Sequence, residues 1–174
     1  MAELELELLD VFVRFPLARF SVYTQVQQQV LSAQAARIQH LLDQALSGGT
    51  VQGPVLNDVH GQFWLWTLGA YEVVRTMDQH AACFDAVYAS KVGEFKRWLV
   101  RLRVPFAKQE LAGLKNSQLS TEASIAKFDF QNRDFAFDVR GELYWVREAI
   151  GRFLALMTGA SVEVVLQPMH GGRN

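Results

Sequence analysis

The stretch FWLWTLGAYEVVRTM, residues 63–77, is apolar on almost every side of a helical wheel. Five of its residues share one face at 3.6 residues per turn: Phe63, Trp66, Ala70, Val74 and Met77. A helix that is apolar nearly all round is a buried helix. The stretch therefore predicts the central helix of a bundle. Trp66, Ala70 and Val74 should be almost fully buried, and Gly69 should lie where another backbone comes close.

Further helical patterns flank this stretch on both sides. Residues 17–46 predict a long helix, and its apolar residues near helical spacing are Phe20, Tyr23, Val26, Val30, Ala33, Leu41 and Ala45. A loop is expected at 47–56, with Asn57 or Asp58 as the cap of the central helix. Two more helices are predicted, one at 82–103 that ends before Pro105 and one at 141–158 that ends at Gly159.

Alternating patterns predict a small sheet. Four aromatic residues alternate with charged residues or alanine and predict a hairpin with one aromatic face: Phe128, Phe130, Phe135 and Phe137. Residues 161–166 predict a final short strand. Leucine and glutamate alternate up to Leu8, and after a slip at Leu8-Leu9 the apolar alternation continues through Val11, Val13 and Phe15. This pattern favours a strand at residues 4–15, although leucine and glutamate are also good helix formers. The polar segment 113–125 predicts a mobile loop.

Together these patterns predict a mainly α (α+β) fold, a bundle of about four long helices with a small antiparallel sheet packed on it. The chain has 174 residues, of which 50% are hydrophobic and 20% are charged, a balance typical of one globular domain. We expect that domain to span residues 1–169 and residues 170–174 to form a flexible tail.

The net charge and the cysteine content indicate which binding partners and which cellular compartment to expect. A net charge of −1 gives the chain no general attraction to nucleic acid or to an anionic membrane. The single cysteine, Cys83, excludes an internal disulfide and fits a reducing compartment. No apolar run reaches the roughly 18 residues of a membrane span, and the acidic start does not resemble a signal peptide. The sequence therefore predicts a cytoplasmic protein that does not enter a membrane.

Glu72 and Arg75 are charged residues on the otherwise apolar central helix. Their i, i+3 spacing lets them pair locally. One interpretation is a structural ion pair, either buried or at the rim of the bundle. The other is that Arg75 projects into a cleft or a dimer seam and binds an anion there.

The segment Arg75-Thr76-Met77-Asp78-Gln79-His80 has the form R-x4-H. In this helical context it resembles the R-x4–6-H motif of the HEPN superfamily of nucleases. Members of that superfamily bring the arginine and histidine of two protomers together and cleave RNA without a metal ion. The resemblance implies that Arg75 would hold the scissile phosphate and that His80 would act as acid or base. Within one protomer, the two side chains would converge only if the helix broke near Asp78.

Other candidate binding residues are a basic run and a pair of tryptophans. Arg97 and Arg101 share a helix face, either as a solvated helix end or as a phosphate-binding patch. Trp64 and Trp66 are either core residues or the lining of a small-ligand pocket. The histidines and Cys83 show no metal-ligand spacing, so neither a metal site nor a cofactor is predicted.

The function that these observations favour is a cytoplasmic protein-interaction or regulatory module without catalytic activity, acting as a homodimer. Its partner would be a second copy or another protein, and nucleic acid is the less favoured partner. The first alternative is a HEPN-like, metal-independent ribonuclease that uses Arg75 and His80. The second is a small-ligand binder with a pocket around Trp64 and Trp66.

Overall fold

The computed structural model describes residue 7 and residues 10–108 and 124–169 of the chain. It confirms the mainly helical bundle with a small antiparallel sheet. The helices are α1 (Pro16–Phe20), α2 (Val22–Ala45), α3 (Gly53–Gln79), α4 (Ala86–Lys108) and α5 (Val146–Thr158). The strands are β1 (Ile125–Asp129), β2 (Asp134–Val139) and β3 (Glu142–Trp145), in the order β1-β2-β3. The predicted tail 170–174 and most of the predicted mobile loop, residues 113–123, lie outside the described residues.

The amino-terminal segment is helical where it is described, so the strand interpretation is wrong for residues 10–14. The backbone N–H of Phe15 donates to the carbonyl of Val11 at 2.8 Å, and Asp10 pairs with Arg14 one turn later at 3.1 Å. Helix propensity and this i, i+4 ion pair outweigh the alternating pattern. Glu7 is also helical and Phe15 is in neither a helix nor a strand, while residues 4–6, 8 and 9 lie outside the described residues.

The predicted long helix at 17–46 is divided at Ser21 into α1 and α2. Ser21 has an extended backbone, and its hydroxyl accepts a hydrogen bond from the N–H of Thr24. That bond caps the start of α2, because serine satisfies one of the N–H groups that lack a partner within the helix.

The central helix α3 begins at Gly53, so the expected caps Asn57 and Asp58 lie inside it. Pro54 stands in its first turn, where the fixed φ of proline suits a helix and its missing N–H costs nothing. At the other end, α3 continues without a break through Asp78 to Gln79. Asp78 forms an ion pair with Lys96 of α4 and does not start a new helix.

Helix α4 continues through Pro105 to Lys108, whereas the sequence predicted its end before that proline. A proline inside a helix removes a backbone hydrogen bond. The following residue compensates by packing, since Phe106 is buried and its ring lies 4.9 Å from that of Phe137, centroid to centroid. Tertiary contact with the sheet therefore outweighs the local preference.

The predicted hairpin is present, with Phe128 opposite Phe135 in the β1–β2 register. A third strand, β3, occupies residues 142–145, where a helix was predicted. It follows a two-residue turn in which Arg140 and Gly141 both have positive φ, as a tight β-hairpin of type I′ requires. The aromatic face is only partly as predicted, because Phe135 and Phe137 are fully buried while Phe130 is 42% exposed beyond the end of β1.

The predicted strand at 161–166 is reduced to a single bridge between Phe84 and Val165. We call residues 161–169 the carboxy-terminal strap, because they cross the outside of α1 and of the α3–α4 connection. The N–H of Leu166 donates to Cys83 O at 2.8 Å, and the N–H of Met169 donates to Phe20 O at 2.8 Å. Arg19 adds a bond to Val162 O at 2.7 Å. The strap thus connects the segment after α5 to α1 and to the α3–α4 connection.

The core confirms the prediction made for the central helix. Trp66, Ala70 and Val74 are fully buried. The ring of Trp66 meets that of Phe153 of α5 at 5.3 Å, and its indole N–H donates to Leu31 O of α2 at 3.0 Å. Gly69 lies at a close approach, but of a side chain: a Cβ there would be 3.0 Å from Cδ2 of Leu31.

Candidate interaction surface

Helix α2 carries two apolar stripes, and the structure turns only one of them inward. The buried stripe contains Leu31, Ala35, Ile38, Leu42 and Ala45. The other consists of Tyr23, Val26, Val30 and Ala33, and we call it the outer stripe of α2. Tyr23 is 82% exposed, Val26 51% and Val30 59%, so these apolar residues of the predicted long helix face away from the core. The inner stripe prevails because its leucines and isoleucine bury more apolar area.

The outer stripe is spaced like the seam of a coiled coil. Its members follow one another at intervals of three, four and three residues, the a and d positions of a heptad. No charged residue occurs between Val22 and Ala36. Apart from Leu31, the residues in that interval that are not members of the stripe are glutamine, serine, threonine or alanine. A long, exposed helix face of a monomer normally carries charges. This face therefore has the composition of a contact surface.

A groove between α2 and α3 extends this apolar surface. It has a volume of about 410 Å³, and its lining includes Val26, Val30, Gly69 and Val73. Leu31 also lines the groove and packs close against α3 at Gly69, where a Cβ would be 3.0 Å from its Cδ2. Leu65, one turn before Gly69 on α3, is 55% exposed and adds a further apolar group to that side of the helix.

Glu72 and Arg75 form a charged rim at the end of this groove. Their carboxylate and guanidinium groups are 2.6 Å apart, and both side chains are nearly half exposed. Arg103 of α4 approaches Glu72 at 3.9 Å and lies over the ring of Tyr71 at 5.0 Å. The pair is thus a rim pair and not a buried one, and water screens its attraction.

Arg75 and His80 are directed toward different neighbours within the protomer. His80 ends α3 as its C-cap residue, and its ring lies 6.2 Å from that of Phe20 in α1. Arg75 is held by Glu72 on the exposed side of α3. Five residues on a continuous helix separate two side chains by about 140°. The condition for convergence within one protomer, a helix break near Asp78, is therefore not met.

The remaining sequence candidates take up separate positions. Trp66 is a core residue, whereas Trp64 is 41% exposed and donates its indole N–H to Phe106 O of α4 at 3.1 Å. The two rings thus contact different helices, and neither lines the groove beside Gly69.

The basic run of α4 is largely paired. Arg101 is paired with Glu142 of β3 at 2.8 Å, and Arg97 is exposed on α4. Its neighbour Lys96 is paired with Asp78, so little of this run is left unpaired for phosphate.

A polar cleft of about 690 Å³ lies where the β1–β2 turn meets the start of α5, and the sequence did not predict it. Asp134, only 5% exposed, lies at its base and accepts hydrogen bonds from the N–H groups of Phe135 and Arg147. The N-cap residue Trp145 makes no side-chain cap, so Asp134 caps α5 from the neighbouring strand. The guanidinium of Arg147 is 2.9 Å from Asp43 of α2.

Burial dominates the electrostatics of this cleft. Desolvation raises the pKa of the Asp134 carboxyl to about 6, although the N–H donors of Arg147 and Phe135 act in the opposite direction. No local pattern reveals such a cap, because the donor lies thirteen residues further along the chain. A sequence motif for helix capping spans only three or four residues.

Within the described ranges, no three or more His, Cys, Asp or Glu side chains are grouped so that they could hold a metal ion. None of the helices that the structure describes is long and apolar enough to cross a membrane. In comparisons with known proteins, no family model, no curated protein and no solved structure matches the chain.

Proposed function

We propose that this chain is a protein-interaction module that works as a homodimer, with the outer stripe of α2 as the centre of its interface. One observation carries the proposal: Tyr23, Val26 and Val30 form an exposed apolar stripe on a helix that bears no charge from residue 22 to residue 36. Covering such a stripe gains roughly 25 cal/mol for each Å² of apolar surface removed from water.

A second copy is the occupant that this surface fits best. A neutral surface meets its own copy without repulsion between like charges, which a charged surface cannot do. In a two-fold dimer the same patch serves both subunits, so it must be complementary to itself. The glutamines beside the stripe satisfy that requirement, because each amide has both a donor and an acceptor. The lone cysteine of the sequence supports a cytoplasmic site of action.

Sedimentation equilibrium of three proteins tests the proposal. Wild-type protein should be dimeric at micromolar concentration. Val30→Glu should be monomeric with an unchanged circular dichroism spectrum, because it places a charge in the seam while leaving the core intact. The matched control is Val87→Glu, which changes a valine that is 66% exposed on α4 and should leave the dimer intact.

A wild-type protein that sediments as a monomer at several hundred micromolar would overturn the proposal. Equal dimerisation of wild type and Val30→Glu would also refute the assignment of the interface to α2.

A further inference from the structure

We propose that the two α2 helices of the dimer pair antiparallel about a two-fold axis that crosses the seam midway between Val26 and Val30, at the level of residue 28. In this arrangement Tyr23 packs against the partner's Ala33, and Val26 packs against the partner's Val30. The inference rests on the proposed function and specifies the partner and its register at the same surface.

The spacing of the outer stripe selects this register. Tyr23 and Ala33 lie equally far from residue 28 on either side, and so do Val26 and Val30. An antiparallel pair centred there forms four apolar layers in succession, each repeated by the two-fold axis. Sliding one helix by a heptad would place Val26 against the partner's Arg37 and would leave only the central layers apolar.

Side-chain size supports the same arrangement. Interdigitated layers at constant helix separation need a large residue opposite a small one. Here the largest member of the stripe, Tyr23, faces the smallest, Ala33. Gln27 and Gln29 flank the axis on its two sides and each lies near its own symmetry mate. Their amides are exposed and make no other hydrogen bond among the described residues.

A parallel arrangement fits these residues less well. Every layer would then contain two copies of one residue, so two tyrosines would meet at position 23 and two alanines at position 33. Arg37, exposed and next along the same stripe, would face the partner's Arg37. Like charges placed opposite one another across such a seam destabilise the pair.

Disulfide formation between engineered cysteines distinguishes the two arrangements. Tyr23→Cys and Ala33→Cys are each introduced into a Cys83→Ala background, so that the natural thiol takes no part. At 1.5 Å per residue, two copies of either position are about 15 Å apart along the axis of the antiparallel pair. A disulfide needs Cα atoms within about 7 Å.

We expect mild oxidation of an equimolar mixture to give the Tyr23→Cys/Ala33→Cys cross-linked heterodimer, and each variant alone to remain unlinked. Self-linking of Ala33→Cys alone would overturn the antiparallel register while the dimer itself stood. No cross-link in the mixture, with wild type still sedimenting as a dimer, would likewise refute this register. A monomeric wild type would refute the proposed function instead.

Discussion

Trp64 and Trp66 make the same hydrogen bond in different surroundings. Each donates its indole N–H to a backbone carbonyl of a neighbouring helix, at 3.1 Å and 3.0 Å, but only Trp66 is fully buried. Trp66→Phe should therefore lower the free energy of unfolding by roughly 2–3 kcal/mol, through the lost bond and the cavity left by the smaller ring. The matched change Trp64→Phe should cost about 1 kcal/mol or less. Urea denaturation measures both, and equal losses would contradict the difference in burial.

Asp134 should give the fold a pH dependence of unusual sign. Its pKa is raised in the folded state to about 6 from a usual value of 3.8, so the folded protein binds the proton more tightly than the unfolded chain does. Ionisation of Asp134 therefore opposes folding, and stability is lost as the pH rises from about 4 to about 6. Two pKa units correspond to at most about 3 kcal/mol.

Asp134→Asn should remove this dependence, since the amide oxygen still accepts the N–H of Arg147 but carries no charge. In thermal unfolding between pH 4 and pH 7, the Tm of Asp134→Asn should rise relative to the Tm of wild type as the pH increases. Asp138→Asn, an exposed change on the same strand, is the control and should follow wild type. A gap between wild type and Asp134→Asn that stays constant with pH would contradict the proposed cause.

Arg75 and His80 should contribute little to stability, because the ion pair of Arg75 is nearly half exposed. We expect Arg75→Ala to cost less than about 1 kcal/mol. The HEPN-like ribonuclease remains a hypothesis that the same variants address. We expect no metal-independent cleavage of RNA by the wild-type protein. If wild-type protein cleaves RNA and His80→Ala loses that activity at an unchanged Tm, the ribonuclease hypothesis would replace the proposal of an interaction module.

Among the elements, the hairpin contributes to the core mainly through β2, while Ile125 and Phe128 of β1 are only partly buried against it. Phe137 of β2 is fully buried and stacks on Phe63 of α3 at 5.8 Å, whereas Phe130 lies beyond the end of β1. Phe137→Ala should cost roughly 3–5 kcal/mol. Phe130→Ala should cost less than about 1 kcal/mol, because its ring stays largely in water. Chemical denaturation of both variants tests this, and a large loss in Phe130→Ala would mean that the turn packs more tightly than the structure shows.

The long periodic elements could be predicted from the sequence, and the short ones could not. The sequence predicts helix α3 because its residues are apolar on nearly every side of a helix. It predicts the hairpin because the aromatic residues recur at every second position. Strand β3 was assigned to a helix because its four residues are too few to show either period. Its turn was the available signal, since Gly141 tolerates the positive φ that a tight hairpin needs. At Pro105 the local signal was clear but misleading, because packing of the following residue against the sheet outweighs the tendency of proline to end a helix.

The sequence alone did not identify the outer stripe of α2 as a surface feature. Two stripes of α2 have helical spacing, and periodicity alone does not say which of them faces the core. The inner stripe contains Leu31, Ile38 and Leu42, which bury more surface than the valines of the outer one. The lack of charge between residues 22 and 36 was visible in the sequence. That absence is the signal from which a second contact surface could have been predicted.

For the whole molecule, dimerisation should make thermal stability depend on protein concentration. A partner that binds only the folded state stabilises it by mass action. The Tm of wild type should rise steadily between about 1 and 100 micromolar, whereas the Tm of Val30→Glu should stay constant. Differential scanning fluorimetry over that range measures the trend. Parallel behaviour of the two proteins would contradict an interface on α2.

Cys83 gives the molecule a built-in chemical reporter. Its side chain lies beneath the carboxy-terminal strap, its Sγ donates to Pro168 O at 3.6 Å, and burial raises the pKa of its thiol. Only an exposed thiolate attacks an alkylating reagent, so the reaction must wait until the strap lifts. The alkylation rate of the native protein therefore measures how often residues 161–169 detach while the bundle stays folded. One thiol in the whole chain makes that measurement free of background from any other site.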